Sequence, residues 1–100
     1  QGLGYSMFEE RVMDRSRGIT LNPDLHEYRI PTMADIPTIE AFFMGEADAA
    51  ANHTGARGLA EPPLIPTAPA IAAAVADAIG NFVTQIPLTP WRVLDALRDE

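Results

Sequence analysis

The helix that organises the chain is predicted by residues Thr67-Ala68-Pro69-Ala70-Ile71-Ala72-Ala73-Ala74-Val75-Ala76-Asp77-Ala78-Ile79-Gly80. Large apolar side chains recur at every fourth position, at Ile71, Val75 and Ile79, which places them on one helical face. The opening threonine can cap the first turn, where a proline is tolerated because its missing amide would have no partner there. The closing glycine is typical of a helix C-terminus.

Downstream of this helix the sequence predicts a short strand and a last helix. Phe82–Ile86 contains β-branched and aromatic residues in a short run, as strands do. Thr89-Pro90 combines a capping side chain with a proline at the first helical position, so we expect a helix over Trp91–Arg98.

Upstream of it, residues 45–58 are small and polar without an apolar period, and we expect an exposed, mobile loop or, as the alternative, a disordered insertion. The β-branched and aromatic run Thr38–Met44 predicts a strand. Helical spacing of apolar residues predicts a first helix over Leu3–Met13, broken by Asp14–Gly18, and Asn22-Pro23-Asp24 predicts a turn.

The expected fold is a small α+β unit with about three helices and two short strands, in which Phe42, Phe43 and Trp91 contribute to the core.

Composition excludes several classes of function. The chain has 100 residues, no cysteine and a formal charge of −7, so it can form neither a disulfide nor a thiolate metal site and should repel nucleic acid. All its cations are arginines. No apolar run is expected to reach the ~20 residues of a membrane span. His26 and His53 lack the spacing of a metal-ligand set, so we expect no protein-bound metal. The pairs Glu9-Glu10 and Asp99-Glu100 are interpreted as solvated carboxylates.

A different arrangement occurs around Glu61, in the segment Gly55-Ala56-Arg57-Gly58-Leu59-Ala60-Glu61-Pro62-Pro63-Leu64. Glycine allows the backbone to approach a ligand closely, and the two prolines are expected to hold Glu61 in an extended conformation. Apolar neighbours would desolvate the carboxylate and favour a general base. Two interpretations remain open on the residues alone, since Glu61 could equally cap or pair near the helix that begins at Thr67.

Five strings of the sequence, in order and nearly end to end, resemble the xanthine dehydrogenase and aldehyde oxidase family. They are Gln1-Gly2-Leu3-Gly4-Tyr5, Asn22-Pro23-Asp24-Leu25, Tyr28-Arg29-Ile30-Pro31-Thr32, the Glu61 segment, and Ile86-Pro87-Leu88-Thr89-Pro90. The resemblance implies that the chain is the C-terminal segment of the molybdopterin-binding large subunit, cut from a longer polypeptide. The family usually has glycine before its catalytic glutamate, where this chain has Ala60, which puts the backbone path and the room for substrate in question.

The resemblance also implies the chemistry of the parent enzyme. Glu61 matches the catalytic glutamate, which acts as general base while an aldehyde or N-heterocycle carbon receives water-derived oxygen. Gln1, Gly58 and Ala60 are the expected cofactor-binding positions. The parent would hold a molybdenum–pterin cofactor and work with the remainder of its subunit and with iron–sulfur and flavin domains or subunits. The fragment alone is expected to bind no cofactor and to be inactive.

The alternative is a free-standing acidic module that docks on a protein partner through its apolar helices and has no chemistry of its own. The Glu61 segment argues against it. In the parent, the strand expected at Thr38–Met44 would pair with sheet neighbours outside this chain. The isolated chain is therefore expected to form homo-oligomers through the open edge of that strand and through its apolar faces. A soluble chain is expected, in the cytoplasm rather than the periplasm, although nothing in the residues fixes the compartment.

Overall fold

The computed structural model describes residues 1–98, so the predicted carboxylate pair Asp99-Glu100 lies outside the described residues. Within residues 1–98 it contains four helices and one two-stranded antiparallel sheet, which agrees with an α+β chain. The elements are α1 (Gly2–Met7), β1 (Met13–Asp14), β2 (Ile19–Thr20), α2 (Glu61–Leu64), α3 (Thr67–Ile79) and α4 (Pro90–Ala96).

The predicted helix at residues 67–80 is confirmed as α3. Gly80 ends it in a left-handed conformation, with φ 76°, and its amide donates to the carbonyl of Ala76. The capping prediction is wrong, because the N-cap is Pro66 and Thr67 is already helical. The Thr67 hydroxyl instead donates to the carbonyl of Pro63 at 3.0 Å, which ties α3 to the preceding turn.

The last helix is also confirmed, as α4, although it ends at Ala96 rather than Arg98. Thr89 is its N-cap, and the threonine side chain accepts a hydrogen bond from the amide of Arg92. Pro90 occupies the first turn, where the missing amide leaves no helical bond unmade.

The first helix is shorter than predicted. It ends at Met7 because the amides of Phe8 and Glu9 both turn back to the carbonyl of Gly4, each at 2.9 Å. The chain then forms the β1–β2 hairpin, which pairs Met13 with Thr20 and Asp14 with Ile19. The predicted break at residues 14–18 forms the tip of this hairpin, but the strands on either side were not predicted.

Both predicted strands, at Thr38–Met44 and Phe82–Ile86, are wrong for this chain, because neither segment has strand structure. A strand is stable only with a hydrogen-bonded neighbour, and the chain supplies none beside these segments. The expected core positions are wrong as well, since the side chains of Phe42, Phe43 and Trp91 are 85%, 71% and 71% exposed.

The observed core is small and lies where α1 packs against α3. Ser6 is completely buried, and its carbonyl accepts a hydrogen bond of 2.7 Å from the amide of Leu88, which is 2% exposed. Gly2 lies so close to Thr67 that a Cβ at position 2 would be 2.5 Å from the threonine Cβ. The start of the chain is therefore held against both the start of α3 and the segment before α4.

Arg92 of α4 contacts the segment that follows α1. Its guanidinium donates to the Pro87 carbonyl at 2.7 Å and to a Glu10 carboxylate oxygen at 2.6 Å. The arginine side chain is only 19% exposed, and a charged hydrogen bond that is partly shielded from water is stronger than an exposed ion pair.

The remaining chain is open. The radius of gyration is 18.0 Å, whereas a compact domain of 100 residues has about 13 Å. Within residues 1–98, the stretch Glu61–Ile79, which contains α2 and α3, has 19 residues and is long and apolar enough, by length and composition alone, to cross a membrane. The prediction that no apolar run would reach the length of a membrane span is therefore wrong. The core helix of a soluble protein passes the same test, so one such helix is weak evidence for a membrane span.

Candidate functional site

Glu61 is the first residue of the single-turn helix α2. The expectation that the prolines would hold it extended is wrong. Pro62 and Pro63 occupy the next two helical positions, where backbone amides have no intrahelical acceptor, so their missing donors cost nothing. The interpretation in which Glu61 caps α3 is also unsupported, because Pro66 is the cap of α3 and no side chain caps it.

The Glu61 side chain lies on the surface. The apolar neighbours that were expected to desolvate it do not enclose it, since Leu59 is itself 62% exposed. The ion pairs within residues 1–98 involve other carboxylates. The chain therefore presents this carboxylate outward, and any dry environment for it would have to come from another part of a larger protein.

The other predicted site residues lie on the two segments that meet near α2. Gln1 is exposed and is the N-cap of α1, where its carbonyl accepts the amide of Tyr5 at 3.3 Å. A Cβ built on Gly58 would meet nothing within 4 Å, so its backbone is open to approach. Ala60 is the N-cap of α2, with φ −87° and ψ −55°. Because this conformation is right-handed, alanine fits there as well as the glycine of the family pattern would.

Tyr5 brings the two segments together, and sequence reasoning did not single it out. Its hydroxyl donates to the carbonyl of Leu64, the last residue of α2, at 3.0 Å across 59 positions of sequence. The close approach of Gly2 to Thr67 is a second link between α1 and the chain after α2. No local pattern could reveal these contacts, because both join residues that are distant in sequence.

The irregular segment before α2 is organised by polar side chains. The side-chain Oδ1 of Asn52 accepts from the backbone amide of Thr54 at 3.1 Å and from that of Ala56 at 3.0 Å, while Arg57 forms an ion pair with Asp48. An open cleft of about 700 Å³ lies between this turn and the exposed run Phe42–Met44, and it extends to Gly58 and Leu59. The predicted mobility of residues 45–58 stays a prediction.

Local hydrogen bonds shift the pKa values of three groups on other segments of the chain. The hydroxyl of Ser16 lowers the pKa of Asp14, and that of Thr32 lowers the pKa of Asp35. A hydrogen bond to Glu9 raises the pKa of Tyr28. Within the described part of the chain, no group of three histidine, aspartate or glutamate side chains could hold a metal ion.

Comparison of the amino-acid sequence with known proteins identifies the family. A family model described as a molybdopterin cofactor-binding domain matches residues 1–37. The chain is 40% identical over 94 residues to a xanthine dehydrogenase molybdenum-binding subunit of Escherichia coli O157:H7, covering 94% of this chain and 12% of the relative. It is 36% identical over 98 residues to an aldehyde oxidoreductase molybdenum-binding subunit of Escherichia coli K12, covering 98% of this chain and 13% of the relative.

A more distant relative is the gamma subunit of a 6-hydroxypseudooxynicotine dehydrogenase complex from Paenarthrobacter nicotinovorans. It is 30% identical over an alignment of 95 positions, which covers 93% of this chain and 12% of the relative. The chain thus spans about an eighth of the length of the curated relatives that it matches. It belongs to the xanthine dehydrogenase and aldehyde oxidase family.

Proposed function

We propose that this chain is part of the molybdenum-binding subunit of a hydroxylase, an oxidoreductase that adds water-derived oxygen to an aldehyde or N-heterocycle carbon. The observation that carries the proposal is the 40% identity to a xanthine dehydrogenase molybdenum-binding subunit over 94% of this chain. The second relative, a subunit of an aldehyde oxidoreductase, supports the same reaction class on a different substrate.

The cofactor of the complete enzyme would be molybdenum held by a pterin, and the exposed residues around α2 fit one wall of such a site. The Glu61 carboxylate faces outward, Gly58 has open space beside its backbone, and the Gln1 amide is exposed and can donate hydrogen bonds. Gln1, Gly58 and Ala60 are the positions that would contact the cofactor. When bound, it would accept the two electrons removed from the substrate.

In this proposal Glu61 is the general base. One of its carboxylate oxygens accepts the proton of the water-derived hydroxyl group that is added to the substrate carbon. Positioning at the start of α2 suits this role, because Pro62 and Pro63 have fixed φ angles and leave little freedom to the turn behind the carboxylate. General-base catalysis of this kind contributes about 10²- to 10⁴-fold.

The other components of the enzyme would lie outside this chain. The remainder of the molybdenum subunit would cover the open side of Glu61, and iron–sulfur and flavin domains or subunits would carry the electrons away. The description of one relative as a subunit of a dehydrogenase complex supports this organisation. The isolated chain is expected to bind no cofactor and to be inactive.

The test is Glu61→Gln in the complete molybdenum subunit. We expect turnover to fall by a factor of about 10² or more, because glutamine is nearly isosteric but cannot accept the proton. Molybdenum content, measured by elemental analysis, should stay near that of the wild type. Glu40→Gln, which neutralises an exposed carboxylate outside α2, is the matched control and should keep full activity. A Glu61→Gln enzyme that retained more than about a tenth of the wild-type kcat would refute the general-base role.

A further inference from the structure

The single-turn helix α2, which carries Glu61, is not stable by itself. Within α2 and its C-cap, one backbone hydrogen bond closes the turn, from the amide of Ile65 to the carbonyl of Glu61 at 3.2 Å. The prolines at positions 62, 63 and 66 have no amide to add to it. Because the first turn of a helix fixes several dihedral angles for one hydrogen bond, an isolated turn of this kind is unfavourable. Something outside α2 must hold its conformation.

We propose that Tyr5 is a positioning residue for Glu61, an inference that rests on the general-base role proposed above. The Tyr5 hydroxyl donates to the carbonyl of Leu64 at 3.0 Å, at the end of α2 opposite Glu61. Tyr5 belongs to α1, which packs against α3, so its hydroxyl ties the turn to the packed part of the molecule. Both residues are half-buried, so the bond is partly shielded from competing water.

A second side-chain hydrogen bond holds the same end of α2, one residue before Leu64. The Thr67 hydroxyl donates to the carbonyl of Pro63, and Thr67 itself packs against Gly2. The carbonyls of Pro63 and Leu64 are thus both hydrogen-bonded to side chains that belong to, or contact, α1. Through these contacts α1 determines the direction in which the Glu61 side chain leaves the turn, without touching the carboxylate.

Tyr5→Phe in the complete, cofactor-loaded subunit tests the kinetic consequence. It removes the hydroxyl and keeps the ring, so the packing of α1 on α3 is preserved. We expect kcat to fall by about five- to tenfold, the effect of one hydrogen bond, with KM within a factor of about two. Tyr28→Phe is the matched control, since its hydroxyl is also hydrogen-bonded, to Glu9, and lies on a different part of the chain. It should leave both constants within a factor of about two.

Hydrogen exchange in the cofactor-free subunit provides a readout that does not depend on activity. The amide of Ile65 reports on α2 directly, because it closes the turn onto the Glu61 carbonyl. It should exchange about five- to tenfold faster in Tyr5→Phe and unchanged in Tyr28→Phe. Amides within α3 should keep their rates in both variants, which separates a loosened turn from general destabilisation.

The outcomes distinguish this proposal from the one on which it rests. An active Glu61→Gln enzyme would refute the general base and with it the role of Tyr5. A Glu61→Gln enzyme that is inactive, together with a Tyr5→Phe enzyme of normal kcat, would overturn the positioning role alone. Equal losses of kcat in Tyr5→Phe and Tyr28→Phe would overturn it too, because the effect would then not be specific to α2.

Discussion

A single hydrogen bond shifts the pKa of Tyr28, whose side chain is half-buried. Its hydroxyl donates to a Glu9 carboxylate oxygen at 2.8 Å, and this bond, more than desolvation, raises the pKa of Tyr28 above 10.0. The neutral phenol is the form that the fold favours. The hydrogen bond to Glu9 therefore contributes fully to the free energy of unfolding below pH 10.0, the ordinary pKa of tyrosine. This contribution is lost as the pH rises through the raised pKa of Tyr28.

Glu9→Gln should lower the pKa of Tyr28 toward the ordinary value, because the glutamine is uncharged and no longer opposes formation of the phenolate. Alkaline titration followed by tyrosinate absorbance at 295 nm measures the change. The portion of the absorbance increase that occurs at the highest pH in the wild type should occur at lower pH in the variant. Glu46→Gln, which alters a carboxylate with no bond to Tyr28, is the control. Identical titration curves for wild type and Glu9→Gln would contradict the assignment.

At the scale of elements, the contact between α1 and α3 depends on a residue without a side chain. A Cβ at Gly2 would lie 2.5 Å from both Cβ and Cγ2 of Thr67, so Gly2→Ala forces the two helices apart. We expect a loss of about 1–3 kcal/mol in the free energy of unfolding, although alanine is the better helix former. Denaturant unfolding followed by circular dichroism at 222 nm measures it.

The matched control for this substitution is Gly58→Ala, where the added methyl group meets nothing within 4 Å. Its unfolding free energy should stay within about 0.5 kcal/mol of wild type, as for surface positions in general. If Gly2→Ala unfolded at the same denaturant concentration as Gly58→Ala, the packing of α1 on Thr67 would not be a determinant of stability.

The whole molecule exposes much apolar surface for its size, including Met33, Phe42, Met44, Phe82 and Trp91, each at least 71% exposed. Because such surface is unfavourable in water, the isolated chain should self-associate. Sedimentation equilibrium over a wide concentration range should show an average mass that rises with concentration. A mass of 10.8 kDa at every concentration would contradict it and would require the interaction-module alternative to be reconsidered.

Hydrogen exchange by segment should show an uneven distribution of local stability in the same chain. Amides of residues 71–79 lie in α3, the longest helix of the described residues, and should be strongly protected, whereas amides between Ala47 and Arg57 should exchange quickly. Uniform protection along the chain would show that it is an autonomous domain.

Elements whose stabilising groups are close together in the chain can be predicted from the amino-acid sequence. The apolar period and Gly80 predict α3, and Thr89-Pro90 predicts α4, because helical hydrogen bonds and caps join residues within four positions. The family resemblance likewise depends only on the order of residues, and it identified Glu61 as the candidate base. The same local reasoning gave the wrong backbone for Glu61, because it neglected that prolines suit the first turn of a helix.

Features that depend on contacts between residues distant in sequence became visible only in the folded chain. The runs Thr38–Met44 and Phe82–Ile86 have strand-like composition, but a strand requires a neighbour that this chain does not place beside them. The link from Tyr5 to Leu64 and the packing of Gly2 on Thr67 join residues about 60 positions apart, and no local pattern encodes them. They exist because α1 lies against α3, and that arrangement determines where the chain presents Glu61.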